Sequence, residues 1–424
     1  MYANYNFSNH VNSKKINFGC KLVVDCGASN PGGSFKASIL PDKSYKEIVS
    51  TSGIVCPNGI QYKKNYLKNL ANLCVQFLKN PETKVSLNQL KDDDKKLSGM
   101  TIFIPGPNIN NKAVIISNLK DTKGKSLTNV DFSEVMQILK NSDNIDVTKN
   151  PKFLAVNDML GSTAAIILEL TNNPQYKNLL KNDFYGTVCM TGGGCGVANV
   201  KIKDNNIEIE ASESGHMPTK NSDQILEKYA ASVPALITNY ASKFGFNEED
   251  TKKLVDAGNA KIVTQEFIKA EKGSEEANAL ENTGLFDVNP EKGFKLKNFD
   301  ENKHTTASKN AINCYIDGIA QLCAAKVLEG TNAVFLTGPV VKGIKETLAL
   351  KGNDLAKLIQ KRMFDKYLDA SGKNMLKMYN FKIITDIDIK DNTLGGGLLQ
   401  KGGFVDEKHR GNWVNIPLDS INTQ

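Results

Sequence analysis

Residues 185–217 read YGTVCMTGGGCGVANVKIKDNNIEIEASESGHM. The segment begins as an apolar run, breaks at Gly192, Gly193, Gly194 and Gly196, and re-forms as two alternating strands around Asp204, Asn205 and Asn206. It closes on Glu213-Ser214-Gly215-His216. Alternation at period two predicts half-buried strands joined by a hairpin. Glycines at the break let the main chain approach a ligand where any Cβ would intrude. The layout sets a phosphate-sized backbone cradle one hairpin away from a carboxylate and an imidazole.

Two stretches upstream extend this pattern. KLVVDCGASNPGGSFKASIL (21–40) holds two apolar runs separated by a Gly/Ser/Asn/Pro turn, the signature of a β-hairpin, and Asp25 closes the first strand. Such a turn leaves main-chain N–H groups pointing outward, which suits terminal phosphates; an ordinary long hairpin loop is the plain alternative. In PKFLAVNDMLGSTAAIILEL (151–170) a buried strand runs to Val156 and a helix of good formers follows, so Asn157 and Asp158 lie at a strand-to-helix junction. Asp158 is there either as a helix N-cap or as a general base at the carboxyl end of a strand, where open α/β sheets bind ligands.

The remaining segments surround these three. Residues 62–78 have helical spacing with lysines on the far face, an amphipathic helix over the sheet. MTIFIPGPNIN (100–110) is a buried strand stopped by Pro105-Gly106-Pro107, and KAVIISN (112–118) a strand ending at Asn118. Residues 222–244 read as one helix with Glu227 in its first turns, and residues 310–330 as a helix apolar on most sides. NAVFLTGPVV (332–341) is a strand that breaks at Thr337-Gly338-Pro339, and TLGGGLLQKGG (393–403) a glycine-rich helix start. Residues 267–310 are polar and Gly/Asn/Lys-rich and read as an insertion or loosely ordered excursion. The last twenty residues, with the only tryptophan, Trp413, read as irregular.

A chain of 424 residues exceeds one core and predicts two domains, hence a cleft. Its 40% hydrophobic and 23% charged content is that of a globular protein. The net charge of +7 comes from scattered lysines without a compact basic block and interleaved aromatics, which argues against a nucleic-acid surface. The positive field favours a small anionic ligand such as a nucleotide. The 8 cysteines form no CxxC pair, and several sit in apolar runs as small buried hydrophobes. The first residues lack an apolar signal core and no run reaches the length of a membrane span, so the expectation is a cytosolic protein with free thiols and no membrane partner.

Taken in order, these motifs resemble the actin-like ATPase superfamily of sugar kinases and Hsp70-type folds, and more closely its glucokinase/ROK branch. Asp25-Cys26-Gly27 with its turn and return strand is similar to that fold's first phosphate loop, and Met190-Thr191-Gly192-Gly193-Gly194-Cys195-Gly196 to its second. Asn157-Asp158 before a small-residue helix resembles the motif that carries the catalytic aspartate. Glu213-Ser214-Gly215-His216 is similar to the family's Glu-x-Gly-His, and Leu226-Glu227-Lys228-Tyr229-Ala230 to its next sugar-binding glutamate. Thr337-Gly338 stands where the family places adenosine-binding glycines; Pro105-Gly106-Pro107 and Asn118 stand where its small domain contacts sugar. The likeness covers about residues 20 to 400. It departs at Asn30-Pro31-Gly32-Gly33, which lengthens the first loop, and at Pro339, where a glycine is usual. The family's zinc-binding cysteine cluster is also missing between His216 and Leu226.

The resemblance implies an α/β fold of two ribonuclease-H-like (actin-like ATPase) domains with an interdomain cleft. Residues 1–174 would form the small domain and residues 175–424 the large one, the latter with the polar insertion at 267–310. It implies an ATP-dependent hexose kinase that moves the γ-phosphoryl group to a sugar hydroxyl. Asp158 would be the general base, and Asn157, Glu213, His216, Glu227, Gly106 and Asn118 would bind the sugar. Gly27, Thr191, Gly192, Gly193, Gly194 and Gly338 would hold ATP, and Asp25 would hold Mg²⁺ through water. No zinc is expected, because a structural zinc needs about four close N/S donors. The partners are then a hexose and a nucleotide, with oligomeric state, a homodimer included, left open. A sugar-binding pseudokinase or sensor that has lost ATP turnover is the second reading.

Overall fold

A computed structural model describes residues 20–26, 34–41, 49–55, 63–80, 96–121, 124–142, 145–180, 183–220, 222–387, 389, 392–404 and 411–421. The first part of the chain supplies β1 (Cys20–Asp25), β2 (Ser34–Pro41), β3 (Val49–Val55) and β4 (Leu97–Ile104). A side sheet of β5 (Asn108–Ile109), β6 (Lys112–Lys120) and β7 (Ser126–Asp131) follows, then β8 (Val147–Asn157). The first main sheet has the order β3-β2-β1-β4-β8, antiparallel from β3 to β1 and parallel from β1 through β4 to β8.

Next come β9 (Phe184–Thr191), β10 (Cys195–Lys203) and β11 (Asn206–Ser212), an antiparallel meander. Its β10–β11 turn is made by Asp204 and Asn205, both at positive φ (50 and 59), the backbone of a two-residue hairpin that follows strand twist. A small sheet of β12 (Phe267–Ile268), β13 (Phe286–Asn289) and β14 (Gly293–Leu296) precedes β15 (Ala333–Thr337), β16 (Lys382–Ile384), β17 (Gly403–Phe404) and β18 (Trp413–Pro417). The second main sheet runs β16-β15-β9-β10-β11-β18-β17. Its stretch β11-β10-β9-β15-β16 repeats the plan of the first sheet, a three-strand meander whose first strand pairs with a parallel follower that pairs in turn with a second. The two main sheets thus share a five-strand plan, to which the second adds β18 and β17.

Successive residues of each central strand face opposite cores. In β1, Leu22 and Val24 join the outer core of the first sheet while Val23 faces the layer between the sheets. The outer core is closed by helix Lys63–Lys79 through Tyr66, Leu67, Leu70, Cys74 and Phe77. In β9, Val188 faces the middle layer and Cys189 the outer core of the second sheet. That outer core is closed by helices Val233–Phe244, Glu301–Leu328 and Pro339–Ala349. Helix Asp158–Asn172 fills the middle layer together with helix Leu394–Leu399. The second of these packs on the first sheet, although it follows β16 in sequence. Ser38 and Thr393 share a hydrogen bond of 2.5 Å, and Gln400 Nε2 donates to Thr101 Oγ1 at 2.8 Å. A Cβ on Gly395 would overlap the Gly161 carbonyl, so the two helices touch backbone to backbone.

Three expectations change. Residues 267–310 are not a loose excursion: Ile268, Phe286, Phe294 and Leu296 turn the small sheet onto the outer core, and helix Glu301–Leu328 starts within the segment, capped by Asp300. Within the last twenty residues, 413–417 are not irregular, because Val414 and Ile416 alternate inward and make β18 a strand of the second sheet. Residues 222–244 do not form one helix. Leu226–Tyr229 ends, and Ser232 caps a new helix by accepting from Ala235 N at 3.2 Å, with Pro234 in the first turn where no N–H is missed. Among the described residues no helix is long and apolar enough to cross a membrane.

Candidate active site

β8 runs straight into helix Asp158–Asn172, and the junction is held by Asn157. Its Oδ1 accepts from Met159 N at 2.9 Å, and its Nδ2 donates to the Gly106 carbonyl at 3.0 Å. The cap is therefore Asn157, which leaves Asp158, first in the helix, free of capping. Burial first, and the charge of Asp25 second, push the Asp158 carboxyl up to about 7, against the pull of main-chain hydrogen bonds from Met159 and Asp158 itself. Asp25 ends β1, two strands from β8 in the parallel part of the sheet, and accepts from Asn392 Nδ2 at 2.6 Å. Two carboxylates thus meet at the carboxyl ends of parallel strands, the place where α/β sheets hold ligands.

The glycine hairpin between β9 and β10 adjoins this pair, since Met159 lies so close to Gly196 that a Cβ there would overlap its sulfur. Gly192 N donates to Gly194 O at 2.9 Å and Gly192 O accepts from Val233 N at 2.7 Å. Gly193 and Gly194 are then the positions that can turn a main-chain N–H toward an anion. The Thr191 side chain points inward, its hydroxyl 3.2 Å from Tyr315 Oη, so only its main chain remains for a ligand. On one flank Gly338, at φ 102, brings its Cα against the Thr191 carbonyl, and Pro339 faces Gly192. Any side chain at 338 would need both a left-handed backbone and space that Thr191 occupies.

The other flank carries the acid and imidazole groups. Ser212 Oγ accepts from Ser214 N at 3.2 Å and starts the turn Glu213–His216, and Gly215 lies directly on the Cys195 carbonyl. Glu213 Oε2 is 2.7 Å from His216 Nδ1; a carboxylate only accepts, so Nδ1 carries the proton. His216 Nε2 stands 3.9 Å from Glu227 Oε2, which accepts from Cys195 N at 2.8 Å. Glu227 also sits beside Gly194, where a Cβ would be 2.9 Å from Oε2. It joins the cradle to the Glu213/His216 pair, two features that the sequence separates by a hairpin.

A chain of contacts links these residues: Gly106 to Asn157, Asp25 to Asp158, Met159 to the hairpin of Thr191, Gly192, Gly193 and Gly194, Gly338 to Thr191, and Gly194 through Glu227 to His216 and Glu213. Gly106, at φ 93, sits 2.7 Å below the Ile115 carbonyl measured from the β-carbon it lacks. Gly27 lies outside the described residues. Asn118 lies within β6, which continues to Lys120. Sequence reasoning passed over Asn392 and the pair Gly411-Asn412. Asn392 precedes a glycine-rich helix and carries a weak signal; Gly411 and Asn412 carry none.

Among the described residues no group of three or more His, Cys, Asp or Glu stands close enough to hold a metal ion. Asp25 and Asp158 do offer hard oxygen donors, the kind Mg²⁺ takes when phosphates and water complete its shell.

Comparison with solved structures identifies the fold. The chain has the fold of a solved glucokinase structure, a mixed α/β architecture built on two main sheets of like plan. A glucokinase of Balamuthia mandrillaris solved with glucose superposes with a TM-score of 0.54 over 91% of this chain and 94% of that one, at 10% identity. A hexokinase of Schistosoma mansoni with glucose gives 0.49 over 90% and 85% at 13% identity. A ROK family glucokinase of Streptomyces griseus with glucose and AMPPNP gives 0.47 over 89% and 98% at 11% identity. The fold assignment rests on the first of these. No protein-family model and no curated protein matches the sequence.

Proposed function

We propose that this protein is an ATP-dependent hexose kinase of glucokinase type with Asp158 as its general base. The observation that carries the reading is the Asp158 carboxyl, held near neutral pH at a strand end, beside Asp25 and against the glycine hairpin. A sugar hydroxyl is a poor nucleophile, and phosphoryl transfer needs alignment, charge neutralisation and a base. A base with a pKa near the working pH combines a deprotonated ground state with enough basicity to take the proton.

In this reading the hexose lies between the Gly106 turn and Asn157 on one side and Glu213, His216 and Glu227 on the other. These groups offer paired donors and acceptors for sugar hydroxyls. The main chain at Gly193 and Gly194 holds the phosphates of ATP, with Gly338 and Pro339 on the nucleotide side. Mg²⁺ near Asp25 would neutralise charge on the phosphates. Asp158 takes the proton of the attacking hydroxyl as the oxygen–phosphorus bond forms and the bond to ADP breaks.

Asp158→Asn is expected to bind glucose as wild type does in calorimetry and to lose turnover by roughly 10²- to 10⁴-fold. Turnover at the wild-type rate in that variant would refute the assignment. Wild-type protein that binds a hexose but not ATP·Mg²⁺ would instead be a sugar-binding pseudokinase.

A further inference from the structure

We propose that Asn412 is a positioning residue that sets the spacing of the two sides of the hexose site; the role rests on the hexose reading above. Three segments assigned to the sugar come from distant parts of the chain: the Gly106 turn, the Asn157-Asp158 junction, and the turn Glu213–His216. Gly411 and Asn412 bond to all three neighbourhoods. The Gly411 carbonyl accepts from Asn157 N at 2.7 Å. The Asn412 side chain clasps Asn108, two residues beyond Gly106, from both ends: Oδ1 accepts from Asn108 N at 3.1 Å, and Nδ2 donates to Asn108 O at 2.7 Å. The Asn412 carbonyl accepts from Ala211 N at 2.8 Å, two residues before Glu213. From Trp413 onward the chain is committed to β18, paired with β11.

Asparagine suits this post, because one side-chain amide presents a donor and an acceptor with the spacing of a peptide group. The clasped residue is fully buried, so its main-chain N–H and C=O have no water to turn to if the clasp is lost. The side chain of Asn108 offers no relief, since its Nδ2 already donates to the Gly106 carbonyl at 3.2 Å and its buried Oδ1 is itself without a partner. The turn would have to move to satisfy its backbone, and Gly106 would move with it. Gly411 fixes the approach: at φ 98 it comes so near that a β-carbon would lie 2.9 Å from Asn108 Cβ and 3.1 Å from the Ala155 carbonyl. Asn412 therefore ties the first-sheet side of the site, through its side chain, to the second-sheet side, through its main-chain carbonyl.

The test is glucose binding without nucleotide, by calorimetry and by emission of Trp413, the only tryptophan and the next residue in the chain. Asn412→Ala should weaken glucose binding by about tenfold or more while ATP·Mg²⁺ affinity shifts by less than about threefold. Asn412→Asp, which keeps the acceptor for Asn108 N and loses the donor, should fall between. Val414→Ala removes buried methyls from β18, the strand that follows Asn412, without touching the clasp. It should lower the melting temperature yet keep glucose affinity within about twofold of wild type. Glucose binding by Asn412→Ala at wild-type strength, or an equal loss in Val414→Ala, would overturn the positioning role. Wild-type protein that binds no glucose would remove the hexose reading and this role together, a result distinct from either.

Discussion

Replacing Asp158 by asparagine removes an ionisable group at almost constant volume. The variant should be more stable than wild type at about pH 8 and no more stable at about pH 4. Burial and the neighbouring Asp25 raise the carboxyl from 3.8 to about 7 in the folded chain. At ~1.36 kcal/mol per pH unit the difference amounts to ~4 kcal/mol against the ionised form, and the partial exposure of Asp158 reduces this to about 2 to 4 kcal/mol. The sign follows from proton counts. Below about pH 4 the group is protonated folded and unfolded, and ionisation costs nothing. From about pH 4 to about pH 7 the folded chain keeps a proton that the unfolded chain has released, so stability falls as pH rises. Above about pH 7 the penalty is constant and complete. Urea unfolding of both proteins at about pH 5 and about pH 8 reads the effect directly: the gap should open in favour of the variant with pH. A gap that stays the same, or that favours wild type at high pH, would refute the account of Asp158. In the wild type, kcat/KM should rise with pH through about 7, since the base must be ionised to work.

Two further substitutions probe the geometry around the hairpin. Gly194→Ala sets a methyl 2.9 Å from Glu227 Oε2, so the glutamate must leave Cys195 N; KM for hexose and for ATP should both rise, by about threefold or more. A change in one constant alone would show that Glu227 does not link the two sides. Gly215→Ala drives a methyl into the Cys195 carbonyl, where both partners are backbone and cannot turn aside. A loss of more than about 2 kcal/mol in stability is expected, together with hexose binding. A melting temperature equal to that of wild type would contradict the packing.

The parts of the fold that were legible are those whose signals are local. Period-two alternation in β9, β10 and β11 and the Asp204-Asn205 turn specify a meander without help from elsewhere, and the break from strand to helix at Asn157-Asp158 is visible in composition. Which residue caps the helix was not legible, because Asn157 and Asp158 are both good caps. The choice is settled by the Gly106 carbonyl, which takes the second hydrogen bond of an amide that a carboxylate could not donate. Residues 267–296 misled because their strands are only 2 to 4 residues long and their few aromatic residues are diluted by Lys, Asn and Gly. Gly411-Asn412 was invisible for another reason: its partner Asn108 is 304 residues away, and nothing in a Gly-Asn pair announces such a contact. The triple glycine at 395–397 was read as a helix start, whereas its meaning lies in the backbone of Gly161.

The placement of helix Leu394–Leu399 makes the two halves interdependent. The chain builds the first sheet, moves to the second, returns to lay residues 392–400 on the first, and then ends in the second as β18. A fragment stopping at residue 174 would hold every strand of the first sheet and still lose Gly396 from Val23, Thr393 from Ser38 and Gln400 from Thr101, with Asp25 deprived of Asn392. Neither half is a separable piece of polymer, and the pair should melt in one cooperative transition despite its two-sheet plan.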